Sequence, residues 1–498
     1  MQSFWNSPLA VEIKGLDVLG VRGHDQAIEA QLVNGITTVS IRARYYSILT
    51  WAVGAFLKRN LDDGKTGHFS NASFQSFLRR VEFLTLACTN ADVSDYGQLN
   101  GVLGTELFAK EMAQLQATGA AQVPDVRSAI LLTYYGPCRA IGLLQDHPGS
   151  VLPCALTELG RRILNAREPG INETVLDFLM SGGPLTIPVR DEGKQWFSLH
   201  AETMPASERS LLLEAFRTRR EGASDENHRK FLESVSWILT ELEADATSAE
   251  WLLARNYAAK VESGPDGDVS DIWAEYEWQR RCHFAFEWLL AILSGALNSQ
   301  GDSSVGQVVD RLMVDADRRL DGGSSLLPIK ITSTKTIGML KTLTPANYLL
   351  DEPLPTRSMS AMRGGTAALS AVTFLAALVT QSESLRTQGV FSRAGFCCQS
   401  AVRIIEQAED RTIAHTLKEL LIACAVVPHL RTTLRKMGSG QGCSLRFFPD
   451  GEILRSTAVP MAPGRSATRM SNVLGILRDI SVLQAKDDGY APGIVVFE

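Results

Sequence analysis

The stretch Leu16–Asn60, LDVLGVRGHDQAIEAQLVNGITTVSIRARYYSILTWAVGAFLKRN, decides how the chain is read. From Ser40 its apolar residues are Ile41, Tyr45, Ile48, Leu49, Ala52, Val53, Phe56 and Leu57. That is the three-to-four-residue spacing of one helical face. Gly35 marks a turn ahead of it, and Thr37, Thr38 and Ser40 are candidate N-caps. Tyr45 and Trp51 are expected to pack inward. Arg42, Arg44 and Tyr46 stand around the helix start with few acids near them in sequence. Amides at a helix start favour anions, and guanidinium forks grip phosphate at two points. These three residues are therefore candidates for nucleic-acid contact, or for anchoring one packed element against another.

Working outward, the same spacing predicts helices over Phe74–Ala91, Leu99–Gln116, Glu208–Arg220, Asn227–Ala244, Ser248–Ala258 and Ser270–Asn298. Further helices are expected over Ala367–Thr380, Ser392–Glu409 and Arg411–Met437. The aromatic stripe of the Ser270 helix, including Trp273, Tyr276, Phe284 and Trp288, reads as core. Residues 183–200, GGPLTIPVRDEGKQWFSL, predict a small hairpin turning at Asp191–Lys194. Near the C-terminus, strands over Ser444–Phe448 and Glu452–Thr457 would pair across Pro449-Asp450-Gly451. RMSNVLGILRDISVLQA (469–485) predicts one more helix. No internal repeat stands out.

One passage has a cadence of its own. VRSAILLTYYGPCRAIGLL (126–144) is followed by VLPCALTELGRRILNA (151–166). A helix, a hairpin-sized gap and a second helix capped by Thr157 is the order of many winged-helix modules. Arg139, Arg161 and Arg162 fall within it and are candidate phosphate contacts. The expected fold is thus mainly α: multi-helical, with a candidate winged-helix module and a small C-terminal α+β piece. The expected division is 1–120 helical, 121–182 winged-helix module, 183–300 hairpin plus helices, 301–437 helical with a connector at 343–366, and 438–498 α+β.

Composition bounds the function. With 45% hydrophobic and 21% charged residues, the 498-residue chain has the profile of a folded multi-domain protein. A net charge of −6 gives no overall nucleic-acid signature, so any basic surface must be local. Eight cysteines include no C-x-x-C pair and read as reduced, buried thiols. The N-terminus lacks a signal-peptide pattern, and the apolar run at 367–379 is too short to span a bilayer, so a cytoplasmic location with no membrane partner is expected. Five Arg-Arg pairs, at 79–80, 161–162, 219–220, 280–281 and 318–319, read as solvated, salt-bridged helix faces unless acids are sparse nearby.

Catalytic patterns fail on their chemistry. Gly64-Lys65-Thr66 lacks the first glycine of a phosphate loop. Asp266, Asp268, Ser270 and Glu277 have calcium-loop spacing, but Asp271 stands where the turn needs glycine, and helix capping explains the acids better. Glu192-Gly193-Lys194 with Asp177 mimics a nuclease signature outside a core strand. His228-Arg229-Lys230 opens like a phospholipase-D-type motif, yet Val235 occupies the aspartate position. No metal or other cofactor is expected, and the chain by itself reads more as a non-enzyme.

The opening segment resembles the N-terminus of uncharacterised bacterial proteins from phage-defence islands. Asp17, Leu19, Gly20, Leu32, Gly35, Thr37, Arg42, Ala43, Arg44, Tyr45, Tyr46 and Trp51 carry the resemblance. Some of these proteins are encoded beside helicase and phospholipase-D-type nuclease genes. The resemblance implies a bacterial, defence-associated setting and no activity. Taken with the arginine clusters and the failed catalytic patterns, the expectation is a non-enzymatic, DNA-associated or adaptor component of a multi-gene antiphage system. Its expected partners are the other proteins of that system and double-stranded DNA. The alternative is a nuclease-like effector whose site is assembled from distant residues.

Overall fold

The computed structural model describes residues 17–62, 70–147, 152, 154–218, 225–319, 332, 334–393, 395–438, 442–487 and 489–497. The Gly64-Lys65-Thr66 triplet and the arginine pair at 219–220 lie outside them. The fold is mainly α-helical, with small two-stranded antiparallel sheets. The chain forms two compact units, each assembled from separated segments: residues 1–29 with 250–466, and residues 30–249 with 467–498.

In the second of these units the helix Arg44–Asp62 packs against Asn71–Ala91, Ile130–Ala140 and Glu158–Arg167. Trp51 meets Phe197 edge-on at 5.3 Å between ring centres, and Phe56 packs on Phe74 and Phe77. A side chain at Gly54 would fall 2.7 Å from Leu156 and 2.8 Å from Leu164, so glycine permits the close approach of the Glu158–Arg167 helix. Thr157 caps that helix by accepting from the Gly160 amide.

Several local expectations differ from the structure. Residues 183–200 do not turn back at Asp191–Lys194. Pro184–Thr186 is a strand paired with Ala120–Gln122, and Ile187–Phe197 is a helix. Pro188 fits a first helical turn, where no amide donor is needed. Gly193, Trp196 and Phe197 then share the buried face turned to Asn71–Ala91. The predicted Leu99–Gln116 helix starts only at Ala109, because Gly101 and Gly104 adopt φ of 76° and 79°.

The third difference is a repeat. The predicted 469–485 helix stops at Asp479 and continues as the hairpin Leu483–Lys486/Gly489–Pro492. The segment Leu477-Arg-Asp-Ile-Ser-Val-Leu-Gln-Ala485 shares four of nine residues with Cys138-Arg-Ala-Ile-Gly-Leu-Leu-Gln-Asp146, and the same hydrogen bonding. Gly142 donates to Arg139 and Leu143 to Cys138, as Ser481 donates to Arg478 and Val482 to Leu477. This is the Schellman ending of a helix, with a left-handed residue at Gly142 (φ 76°) and at Ser481 (φ 65°). Each copy leads into a short hairpin whose return strand donates back to the same site, from Thr157 to Leu143 and from Gly493 to Val482. The shared residues are too few for a repeat to stand out by eye.

The other unit is built on the 32-residue helix Val269–Gln300, opened by Asp268, whose carboxylate accepts from the Ser270 amide. Trp273, Tyr276, Phe284 and Trp288 are buried along it. Glu277, Arg280 and Arg281 are buried as well, and Glu277 pairs with Arg280, Arg281 and Arg465. The 280–281 pair is thus interior instead of a solvated face. Val305–Arg319 and Gly364–Gln381 cross closely: a side chain at Gly365 would fall 2.0 Å from the Leu312 carbonyl oxygen. Gly364–Gln381 and Ile413–Gly438 are long and apolar enough to span a bilayer by composition, but 83% and 56% of their apolar windows are buried in the protein. The second contains a π-helical turn at Leu421–Val426 just ahead of Pro428. Proline lacks a donor and clashes with the carbonyl four residues back, and a widened turn accommodates both.

Candidate nucleic-acid interface

All six sequence candidates lie in the unit of residues 30–249 and 467–498, where they form an interior group and a surface group. Arg42 belongs to the interior. Its guanidinium pairs with Asp479 at 3.0 Å and donates to the Asn100 carbonyl at 2.8 Å. The second oxygen of Asp479 accepts from the Ala43 amide at 3.2 Å, at the mouth of the Arg44–Asp62 helix. An anion does sit at this helix start, and it is the protein's own carboxylate. Burial raises the Asp479 carboxyl above the usual range, while Arg42 and Arg478 oppose the rise.

Arg44 is fully buried. It pairs with Glu208 at 3.1 Å, donates to Thr203 at 2.8 Å, and reaches the carbonyls of Ser198 and Gln195. Arg167 enters the same cluster through Glu208, Ser47 and the Trp196 carbonyl. Burial alone would raise the Glu208 carboxyl, but Arg167 and Arg44 together hold it below its ordinary value. Burial pushes the Arg167 guanidinium down to about 10, with Glu208 opposing. Tyr46 donates its hydroxyl to the Gly35 carbonyl at 2.7 Å, edge-on to Tyr134 and Phe216. Sequence spacing offers no sign of Arg167 or Glu208, which stand 123 and 164 residues from Arg44.

Arg139, Arg161 and Arg162 form the surface group. Arg139 ends the helix Ile130–Ala140 and pairs with Asp146 on the hairpin at 2.5 Å. Arg161 and Arg162 occupy the first turns of Glu158–Arg167, pairing with Glu158 at 2.7 Å and Glu214 at 2.8 Å. Their side chains are 44%, 58% and 48% exposed. The hairpin Leu144–Asp146/Cys154–Leu156 links the two helices. A buried ion pair resists exchange, because removing one partner strands the other in low dielectric. An exposed pair is worth little and trades its acid for another anion readily.

Among the described residues, no group of three or more His, Cys, Asp or Glu side chains is placed to hold a metal ion. The acids of the calcium-like spacing serve the fold: Asp268 caps its helix, and Asp266 and Asp271 pair with Lys260. Glu192 and Lys194 lie on the Ile187–Phe197 helix, where Lys194 pairs with Asp92 at 2.8 Å. Comparison with protein-family models, curated proteins and solved structures finds no match to this chain.

Proposed function

We propose that this chain is a non-enzymatic, DNA-associated or adaptor component of a multi-gene bacterial antiphage system, and that it meets duplex phosphate through Arg139, Arg161 and Arg162. The observation that carries the DNA contact is the exposure of these three side chains on one helix–hairpin–helix passage, read as a winged-helix module. Its order is helix Ile130–Ala140, hairpin 144–156, helix Glu158–Arg167. The hairpin serves as the wing, and the partners of the three arginines are surface carboxylates that phosphate replaces. Arg42, Arg44 and Tyr46 have no part in the contact, because their polar atoms are held inside the protein. The defence setting is supported by the residues of the opening segment that resemble phage-defence-island proteins.

Duplex binding measured across a salt series tests the proposal. The wild type should lose affinity steeply as salt rises, and Arg161→Ala/Arg162→Ala should flatten the slope of log K against log[salt] by about 1 to 2. Absence of duplex binding at low salt would remove the DNA contact, and an unchanged slope in the double variant would remove these arginines from it.

A further inference from the structure

The unit of residues 1–29 and 250–466 holds a cavity of about 310 Å³, at the lower end of the size range of small-molecule sites. Its lining contains two arginines and two histidines, and no aspartate or glutamate. Arg431 and Arg435 stand one turn apart on the helix Val427–Gly438, so both reach the same mouth. Both are exposed, and among the described residues neither makes an ion pair. Opposite them begins the helix Phe396–Glu406, whose N-cap Gly395 supplies no side-chain cap. The first amides of such a helix lack intrahelical acceptors and carry partial positive charge. Gly395 also sets the approach: a side chain there would fall 2.8 Å from the His24 ring.

His283 supplies the second, independent sign of a ligand. It lines the cavity while only 4% exposed. Its Nδ1 meets the Asp25 carboxylate at 2.9 Å, and its Nε2 is buried without a hydrogen-bond partner. The Cys398 thiol lies beside the ring, but a thiol is a weak acceptor and its geometry falls short of a hydrogen bond. Burial would favour the neutral ring, yet Asp25 outweighs it and holds the imidazole well above its ordinary value. The Nε2 donor is thus left without a hydrogen-bond acceptor in the protein. A buried donor without an acceptor is expensive, and a bound anion supplies the acceptor. Apart from Thr432 the remaining walls are apolar, with Phe396 61% and Val427 49% exposed. The π-helical turn at Leu421–Val426 leads directly into this wall, and such turns recur at functional sites.

We propose that this cavity binds a small phosphomonoester with an aromatic body. Arg431, Arg435, the start of the Phe396–Glu406 helix and His283 receive the phosphate, and Phe396 stacks on the body. This site is separate from the arginines proposed to meet DNA, so either proposal stands or falls without the other.

Calorimetric titration of the full chain with adenosine 5′-monophosphate, inorganic phosphate and adenosine tests it. The monophosphate should saturate one site, phosphate should bind more weakly and compete, and adenosine should not bind. Arg431→Glu/Arg435→Glu should weaken the monophosphate by about tenfold or more. Phe396→Ala should weaken it by about fivefold or more and leave phosphate unchanged. Because these side chains are exposed, both variants should keep the wild-type unfolding midpoint. If Arg431→Glu/Arg435→Glu does not fold, the Phe396→Ala comparison alone decides. No heat from the monophosphate at about 1 mM, or undiminished affinity in a folded Arg431→Glu/Arg435→Glu variant, overturns the site. Phosphate binding as tightly as the monophosphate, or adenosine binding without phosphate, overturns the assigned ligand class.

Discussion

The arginines at the head of the Arg44–Asp62 helix owe their place to two distant carboxylates, Asp479 and Glu208. Each neutralises charge where water has been removed, so the loss of either acid strands a buried guanidinium. Glu208→Gln should destabilise the chain by about 3 kcal/mol or more, as read from the denaturant midpoint. An unchanged midpoint would show that Arg44 and Arg167 find other partners. Glu277 makes a pH-dependent case. Burial would raise its carboxyl, but Arg465, Arg280 and Arg281 outweigh that and bring it down to about 2. A carboxyl lowered in the folded state adds stability that is full above its ordinary unfolded value and disappears as pH falls towards 2. Glu277→Gln should therefore lose stability at neutral pH and show a shallower acid limb than the wild type. His429 works in the same direction. Its Nδ1 meets the Val18 carbonyl at 3.0 Å, and its Nε2 accepts from the Arg446 amide at 3.0 Å, which requires the neutral ring. Burial lowers it to about 4, so its contribution is present above the ordinary histidine value and is lost as pH falls from there towards 4. An NMR titration of the ring with an inflection near the ordinary value would contradict this assignment.

At the scale of elements, the two Schellman endings give a matched experiment. Gly142 adopts its left-handed conformation without strain, whereas Ser481 holds the equivalent one with a Cβ. Ser481→Gly should be neutral to stabilising by up to about 1 kcal/mol, and Gly142→Ala should destabilise by about 1 kcal/mol. Equal and opposite effects would tie the two copies to one backbone geometry; destabilisation by Ser481→Gly would separate them. Where glycine is needed for contact, the penalty is steric. A side chain at Gly160 would fall 2.2 Å from the Leu143 carbonyl oxygen, inside the helix–hairpin–helix passage. Gly160→Ala should cost about 1–3 kcal/mol in thermal or denaturant unfolding. The helices themselves were largely legible, because apolar spacing and the caps at Thr157 and Asp268 are local signals. The Ile187–Phe197 helix was not, since a short polar stretch with a glycine reads as a turn until Trp196 and Phe197 find a wall to pack against.

At the scale of the whole chain, each unit closes only when a late segment returns to an early one. The helix Met470–Asp479 brings Asp479 to Arg42, and Asn472 to the Thr37 carbonyl at 2.7 Å. A fragment of residues 30–249 should therefore lack the cooperative unfolding transition of the intact chain, by circular dichroism and limited proteolysis. Adding 467–498 in trans or through a linker should restore it. A fragment that unfolds cooperatively alone would show that Arg42 needs no carboxylate.

The sequence by itself determined the class of fold, most of the helices, the cap at Thr157 and the inward packing of Tyr45 and Trp51, because these follow from spacing along one element. It also marked Arg42, Arg44, Arg139, Arg161 and Arg162 as positive charges in need of an anion. Only the tertiary structure decided which carboxylate each one meets, and which of those pairs are buried. Asp479 is 437 residues from Arg42 and Glu208 is 164 from Arg44 in sequence, yet each is a hydrogen bond away in space. Burial, which no local pattern encodes, is what turns an arginine from a phosphate contact into part of the core.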